Sequence, residues 1–183
     1  MRAVILQMGV SLDGYVADAD GGLDWGLPPE DEAMTAWKLD AVRRAGTHIM
    51  GRVTYEAMAA HWPTSTEVFA AEMNRIPKVV FSRSLPSADW PESRVARGDL
   101  AREIDTLRQE PGGDIMVHGG AAFAQALSRQ HLIDEYHLVV RAVALGSGLP
   151  LFKDLSAPLP LALVSAAPYA DGTVIQVYRR RTP

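Results

Sequence analysis

The sequence predicts an α/β fold: a central mixed sheet, mostly parallel in its early strands and closed by an antiparallel C-terminal hairpin. Three observations carry this expectation. Short apolar runs alternate with amphipathic stretches along nearly the whole chain of 183 residues. Two of those runs end in glycine and pass straight into a helical pattern: His48-Ile49-Met50-Gly51-Arg52 before Val53 to Ala60, and Ile115-Met116-Val117-His118-Gly119-Gly120 before Ala121 to Leu127. Near the C-terminus, Leu159 to Ala167 and Thr173 to Tyr178 flank a turn at Tyr169-Ala170-Asp171-Gly172, the pattern of a hairpin.

The elements follow in order. Residues 2–10 are apolar enough for a strand buried on both faces, with Gln7 as the exception within it, a polar side chain that needs a partner or lines a pocket. Asp18 to Pro29 is rich in Asp, Gly and Pro and predicts a long loop that includes Trp25. Glu30, Asp31 and Glu32 then suit a helix N-terminus, and Met34, Trp37, Leu39 and Val42 give that helix its apolar side as far as Arg44. Strands are expected at Thr47 to Met50, Lys78 to Phe81 and, more weakly, Trp90 to Ala96, with helices at Arg52 to Ala60 and Val68 to Arg75. Asp99 caps a further helix to Glu110, strand 114–117 and helix 120–129 repeat the pattern, and a long strand lies within Leu132 to Leu145, from which His137 should alternate outward.

Composition narrows the function. Hydrophobic residues make up 48% and charged residues 22%, which fits one soluble globular domain over residues 1–183. A net charge of −4 argues against a nucleic-acid partner, and Arg179-Arg180-Arg181 reads as a solvated tail. There is no cysteine, so disulfides, thiolate metal sites and cysteine nucleophiles are excluded, and a cytoplasmic location is expected. No run reaches the roughly 18 to 20 apolar residues that span a bilayer. The five histidines are too scattered for a metal site, and no Gly-x-Ser-x-Gly elbow or P-loop occurs.

What remains is a set of anion seats. A strand that stops at glycine lets a ligand approach the main chain, and the unpaired amides of the next helix attract phosphate. Gly51, Arg52 and Thr54 form the first seat, with a guanidinium fork and a hydroxyl. Val117, Gly119, Gly120 and Ala121 form the second, where small residues allow a pyrophosphate against the backbone, and His118 reads as a turn residue rather than an acid or base. Ser82 and Arg83, at the carboxyl end of another strand, suit a monoester phosphate such as the one that distinguishes NADP from NAD. Each motif alone is equally compatible with an ordinary turn. Two seats together suggest a nucleotide.

The order of the motifs is more specific than any one of them. Ser11-Leu12-Asp13-Gly14-Tyr15-Val16-Ala17, Asp24-Trp25, Met50-Gly51-Arg52-Val53-Thr54-Tyr55-Glu56, Lys78-Val79-Val80-Phe81-Ser82, Val117-His118-Gly119-Gly120 and Leu145-Gly146-Ser147-Gly148-Leu149-Pro150-Leu151-Phe152 resemble the dihydrofolate reductase superfamily. The resemblance is closest to the branch containing the C-terminal reductase domain of the riboflavin-biosynthesis protein RibD. It implies a three-layer α/β/α fold with NADPH across the carboxyl ends of the early strands, Arg52 and Thr54 on phosphate, Ser82 and Arg83 near the 2′-phosphate, and Gly119, Gly120 and Ala121 at the pyrophosphate. It also implies Val16 and Ala17 beside the nicotinamide, Trp25 near a small-molecule substrate, and a homodimer. Trp25-Gly26-Leu27-Pro28-Pro29-Glu30 matches the segment that precedes the folate enzymes' carboxylate, which makes Glu30 or Asp31 the candidate proton donor or, equally, helix-capping acids. Val139 stands where those enzymes carry a supporting hydroxyl, and Arg141 either reaches a substrate phosphate or points to solvent. The activity so implied is NADPH-dependent reduction of a ribosylaminopyrimidine or other small heterocycle, with dihydrofolate reduction or a non-catalytic nucleotide-binding module as the alternatives.

Overall fold

Period-two burial along the strands organises the molecule. The computed structural model describes residues 1–26 and 32–181, which contain β1 (Val4–Ser11), β2 (Tyr15–Ala17), α1 (Glu32–Arg44), β3 (Ala45–Gly51), α2 (Arg52–His61), α3 (Ala70–Arg75), β4 (Lys78–Phe81) and β5 (Ser93–Ala96). After these come α4 (Leu100–Gln109), β6 (Asp114–Val117), α5 (Ala121–Arg129), β7 (Glu135–Arg141), β8 (Leu149–Pro150), β9 (Leu161–Pro168) and β10 (Val174–Arg180). In β3, β4 and β6 the residues Ile49, Val79, Ile115 and Val117 point into one core with Ile104 and Leu107 of α4 and Ala124 and Leu127 of α5. Their neighbours Met50, Val80 and Met116 point into a second core with Ala41 and Val42 of α1, Tyr55 of α2 and Met73 of α3. Because successive strand residues face opposite ways, helices cover both faces of the sheet and the result is the expected three-layer α/β/α arrangement.

The main sheet has eight strands in the order β5-β4-β3-β6-β1-β7-β10-β9. From β5 to β7 every pairing is parallel, and β10 then runs antiparallel to both β7 and β9. The carboxyl ends of β3, β4, β6, β1 and β7 therefore share one rim, which is where Gly51, Phe81, Val117, Ser11 and Arg141 lie. A second, two-stranded sheet pairs β2 with β8, and Asp13 braces it by accepting from the Leu145 and Gly146 amides at 3.1 and 2.7 Å. These donors and the Ser11 hydroxyl hold the Asp13 carboxyl down at about 2.

Three sequence expectations change. His137 does not alternate outward to solvent; α1 lies over that face of the sheet, so the imidazole is buried against Trp37 at 5.6 Å and bonded to Glu135 at 3.1 Å. The arginine triplet is no loose tail. Arg179 and Arg180 belong to β10 and pair with Glu135 and Asp134, since antiparallel pairing with β7 brings them beside those acids. The helix expected from Val68 begins only at Ala70, following a 3-10 turn at Trp62–Thr64. No helix among the described residues is long and apolar enough to cross a membrane.

Candidate functional site

Two helix N-termini open onto one cleft of about 470 Å³. Gly51 is the N-cap of α2 and Gly120 the N-cap of α5, and neither helix has a side-chain cap. The first amides of each helix have no acceptor within the helix, so glycine caps leave them available to an outside anion. Gly51, Arg52, Thr54, Gly120 and Ala121 line the cleft with Phe81 and Phe123, whose rings lie 5.1 Å apart at its floor. A Cβ on Gly120 would stand 3.3 Å from the Thr54 hydroxyl, inside the cleft, so this cradle depends on the missing side chain. Gly119 precedes it with φ +83°, a conformation glycine adopts without penalty, and a Cβ there would strike the Met8 methyl at 2.6 Å.

The remaining predicted cofactor contacts are less uniform. The Arg52 guanidinium is paired with Glu56 one turn along α2 at 2.9 Å, so a phosphate would compete with that carboxylate. Ser82 uses its hydroxyl to accept from the Ser84 and Leu85 amides at 3.2 and 3.0 Å, which shapes the turn after β4. Arg83 is exposed. Neither residue lines the cleft, although both follow Phe81, which does. The Val117 side chain is wholly buried in the sheet core, which leaves its main chain as the part at the rim. Ala17 is likewise buried, in the β2 pairing with β8.

A second cleft, of about 260 Å³, is lined by Gln7, Met8, Val16, Trp25, His118 and Arg141, among others. Trp25 sits in a 3-10 turn and anchors its indole by donating to the Gly22 carbonyl at 3.1 Å. Gln7 lines this cleft, and its Nε2 is shielded from solvent and has no partner. Arg141 neither faces solvent nor stands apart: it is buried, donates to Thr173 at 3.3 Å and lies 3.6 Å from Asp171. Val139 packs with Met34 and Ile175, so the position that bears a hydroxyl in folate enzymes is apolar here. Glu30 and Asp31 lie outside the described residues. No cluster of three potential metal ligands occurs among those described.

Sequence reading missed the His48–His118 pair. The two rings meet edge to face at 4.4 Å, and both nitrogens of His48 and Nε2 of His118 are buried without partners. Burial lowers both: His118 falls to about 4, and His48 goes well below its ordinary value with the neighbouring His118 adding to the effect. His48 lies in β3 and His118 follows β6, and it is the parallel pairing of those two strands that brings the rings together.

Glycine-capped helix N-termini at the carboxyl rim of a doubly covered, mostly parallel sheet define a three-layer α/β/α fold. The family model for the RibD C-terminal domain matches residues 2–175, and the chain belongs to that family. Among curated relatives it is 33% identical over 179 residues to the uncharacterized protein YwjB of Bacillus subtilis (strain 168), covering 97% of this chain and 98% of that one. The uncharacterized protein YyaP of the same strain is 28% identical over 183 residues, covering 97% of this chain and 94% of YyaP. Solved structures share the fold. A Shewanella sp. PV-4 protein, provisionally named for riboflavin biosynthesis, superposes with a TM-score of 0.79 at 24% identity, covering 98% and 99% of the two chains. Dihydrofolate reductase from Enterococcus faecalis, solved with NADP(H), gives 0.65 at 16% identity over 98% and 97%. The Thermotoga maritima deaminase/5-amino-6-(5-phosphoribosylamino)uracil reductase gives 0.69 at 19% identity, and this chain covers 98% of itself but 57% of that protein.

Proposed function

We propose that residues 1–183 act as one NADPH-dependent reductase domain that transfers hydride to a small heterocyclic substrate. The observation that carries the reading is the pair of uncapped, glycine-headed helices, α2 and α5, facing a single cleft. When bound, NADPH supplies the hydride; the protein supplies binding, orientation and exclusion of water. The amides opening α2 and α5, with the Thr54 hydroxyl, Gly120 and Ala121, would hold the pyrophosphate. Arg52, once released from Glu56, would hold a phosphate oxygen, and exposed Arg83 would hold the 2′-phosphate. Val16, with Ala17 beside it, walls the nicotinamide side of the second cleft, where Gln7 and Trp25 hold the substrate. Glu30 or Asp31 delivers the proton.

The names of the fold relatives support a ribosylaminopyrimidine acceptor, the compound class named for the Thermotoga maritima protein. Apolar Val139 speaks against dihydrofolate, since a buried pterin-binding carboxylate would lack its supporting hydroxyl. The lack of cysteine and of a membrane-spanning helix among the described residues supports a cytoplasmic setting. The chain forms a homodimer through the edge strand β9, whose Leu163 and Val164 are more than half exposed, and light scattering in solution tests that contact. The function itself is tested by following loss of reduced-nicotinamide absorbance with 5-amino-6-(5-phosphoribosylamino)uracil, other aminopyrimidines and dihydrofolate. Turnover with an aminopyrimidine supports the reading; tight NADPH binding without oxidation by any of them favours a non-catalytic module.

A further inference from the structure

The substrate cleft continues past the nicotinamide side into a wing of about 690 Å³, and the two spaces share Gln7, Lys38 and His118. The wing is lined by Val42 of α1, Met58 of α2, Trp62, Val68, Phe69 and Met73. Trp62 and Phe69 stand edge to face at 6.4 Å, an arrangement that leaves an aromatic wall for a third ring. Charge is sparse and of mixed sign. Lys38 is the only Lys or Arg lining this wing among the described residues, and Glu67 lines it too, its carboxylate 2.7 Å from His61. A phosphate needs several donors in a fixed fork or a helix N-terminus, and a nearby carboxylate repels it. At the junction, by contrast, the polar residues Gln7 and His118 line both spaces, and the Nε2 atom of each is buried without a hydrogen-bond partner.

We infer that the substrate is a flat heterocycle bearing an apolar, aryl-sized arm in place of a phosphoribosyl group. Its polar edge meets Gln7 and His118, and its arm lies in the wing against Trp62 and Phe69. This rests on the reductase reading above and replaces only the arm of the acceptor considered there. Neutral at ordinary pH, the His118 imidazole offers the ring one N–H or one lone pair without introducing charge.

Three uracils with one ring and different arms test it: 5,6-diaminouracil, 5-amino-6-(benzylamino)uracil and 5-amino-6-(5-phosphoribosylamino)uracil. Each is titrated calorimetrically into the protein saturated with NADP⁺, after coenzyme binding has been measured in the same cell. The benzyl compound should bind about tenfold or more tightly than either of the others, as burial of a phenyl ring predicts. Val68 is 55% exposed, so Val68→Asp should fold and should erase most of that gain while leaving diaminouracil and NADP⁺ affinities unchanged. Gln7→Leu should weaken all three uracils together. Tightest binding by the phosphoribosyl compound, equal binding of all three, or none at all overturns the inference while bound coenzyme leaves the reductase reading standing. Failure of the wild-type protein to bind coenzyme overturns that reading first.

Discussion

Acid should destabilise this fold through the His118 imidazole, and the size of the effect can be worked from its surroundings. His118 lies against His48 with Nε2 sealed from water, which holds it at about 4 rather than the ordinary 6.5. Above pH 7 both folded and unfolded chains carry the neutral ring, so it contributes nothing. As pH falls through 6.5 the unfolded chain takes up a proton that the folded chain refuses, and stability drops until about pH 4, where both are protonated. The full loss is roughly 3 kcal/mol, of which about 2 kcal/mol has appeared by pH 5. His118→Asn removes the titration. Chemical denaturation of both proteins at pH 7.5, 6.5, 5.5 and 5 should show the wild-type protein losing about 2 kcal/mol more than the variant over that range. His48 is depressed in the same direction, so the acid loss from that ring remains in both proteins. Parallel curves for the two proteins would refute the claim that this imidazole is held neutral by burial.

Other outcomes follow from the cleft and the core. Gly120→Val keeps a backbone with φ −69° that any residue adopts, so it should fold, yet it should lower NADPH affinity at least about a hundredfold by filling the phosphate cradle beside Thr54. Unchanged affinity in the folded variant would remove that cradle from the account. Arg83→Ala should weaken NADPH about tenfold or more and NADH little, because only the former carries the extra phosphate; equal losses would exclude the role. Lys78→Met strips three donor contacts from the carbonyls of Met73, Asn74 and Ile76, at 2.9 to 3.0 Å, and should cost about 2 to 4 kcal/mol in denaturation experiments without altering coenzyme affinity.

The strand-and-helix frame was readable because burial on both faces writes itself as unbroken apolar runs, as in β3, β4 and β6, and because Gly51 and Gly120 punctuate the junctions. Asp99 was readable as a cap for the same local reason: its carboxylate accepts from the Arg102 amide three residues on. What escaped was set by distant partners. His137 looked outward by alternation, but α1 delivers Trp37 onto that face. β2 and β8 are three and two residues long, too short for periodicity, and are held by Asp13 reaching more than a hundred residues along the chain. Arg52 read as a phosphate fork, yet its i+4 neighbour Glu56 competes for it. The parity of Val117 in β6, which turns its side chain into the core and leaves its main chain at the rim, depends on the strand's place in the sheet. The partnerless Gln7 and the His48–His118 contact depend on which residues the register of β1, β3 and β6 sets side by side.

Calorimetric titration of NADPH and NADH into the wild-type protein bears most directly on the two glycine-headed helices. One NADPH per chain should bind with a dissociation constant of roughly micromolar order, about −8 kcal/mol, and NADH about tenfold more weakly. Absence of saturable NADPH binding at millimolar coenzyme by a folded protein would contradict the account at its root.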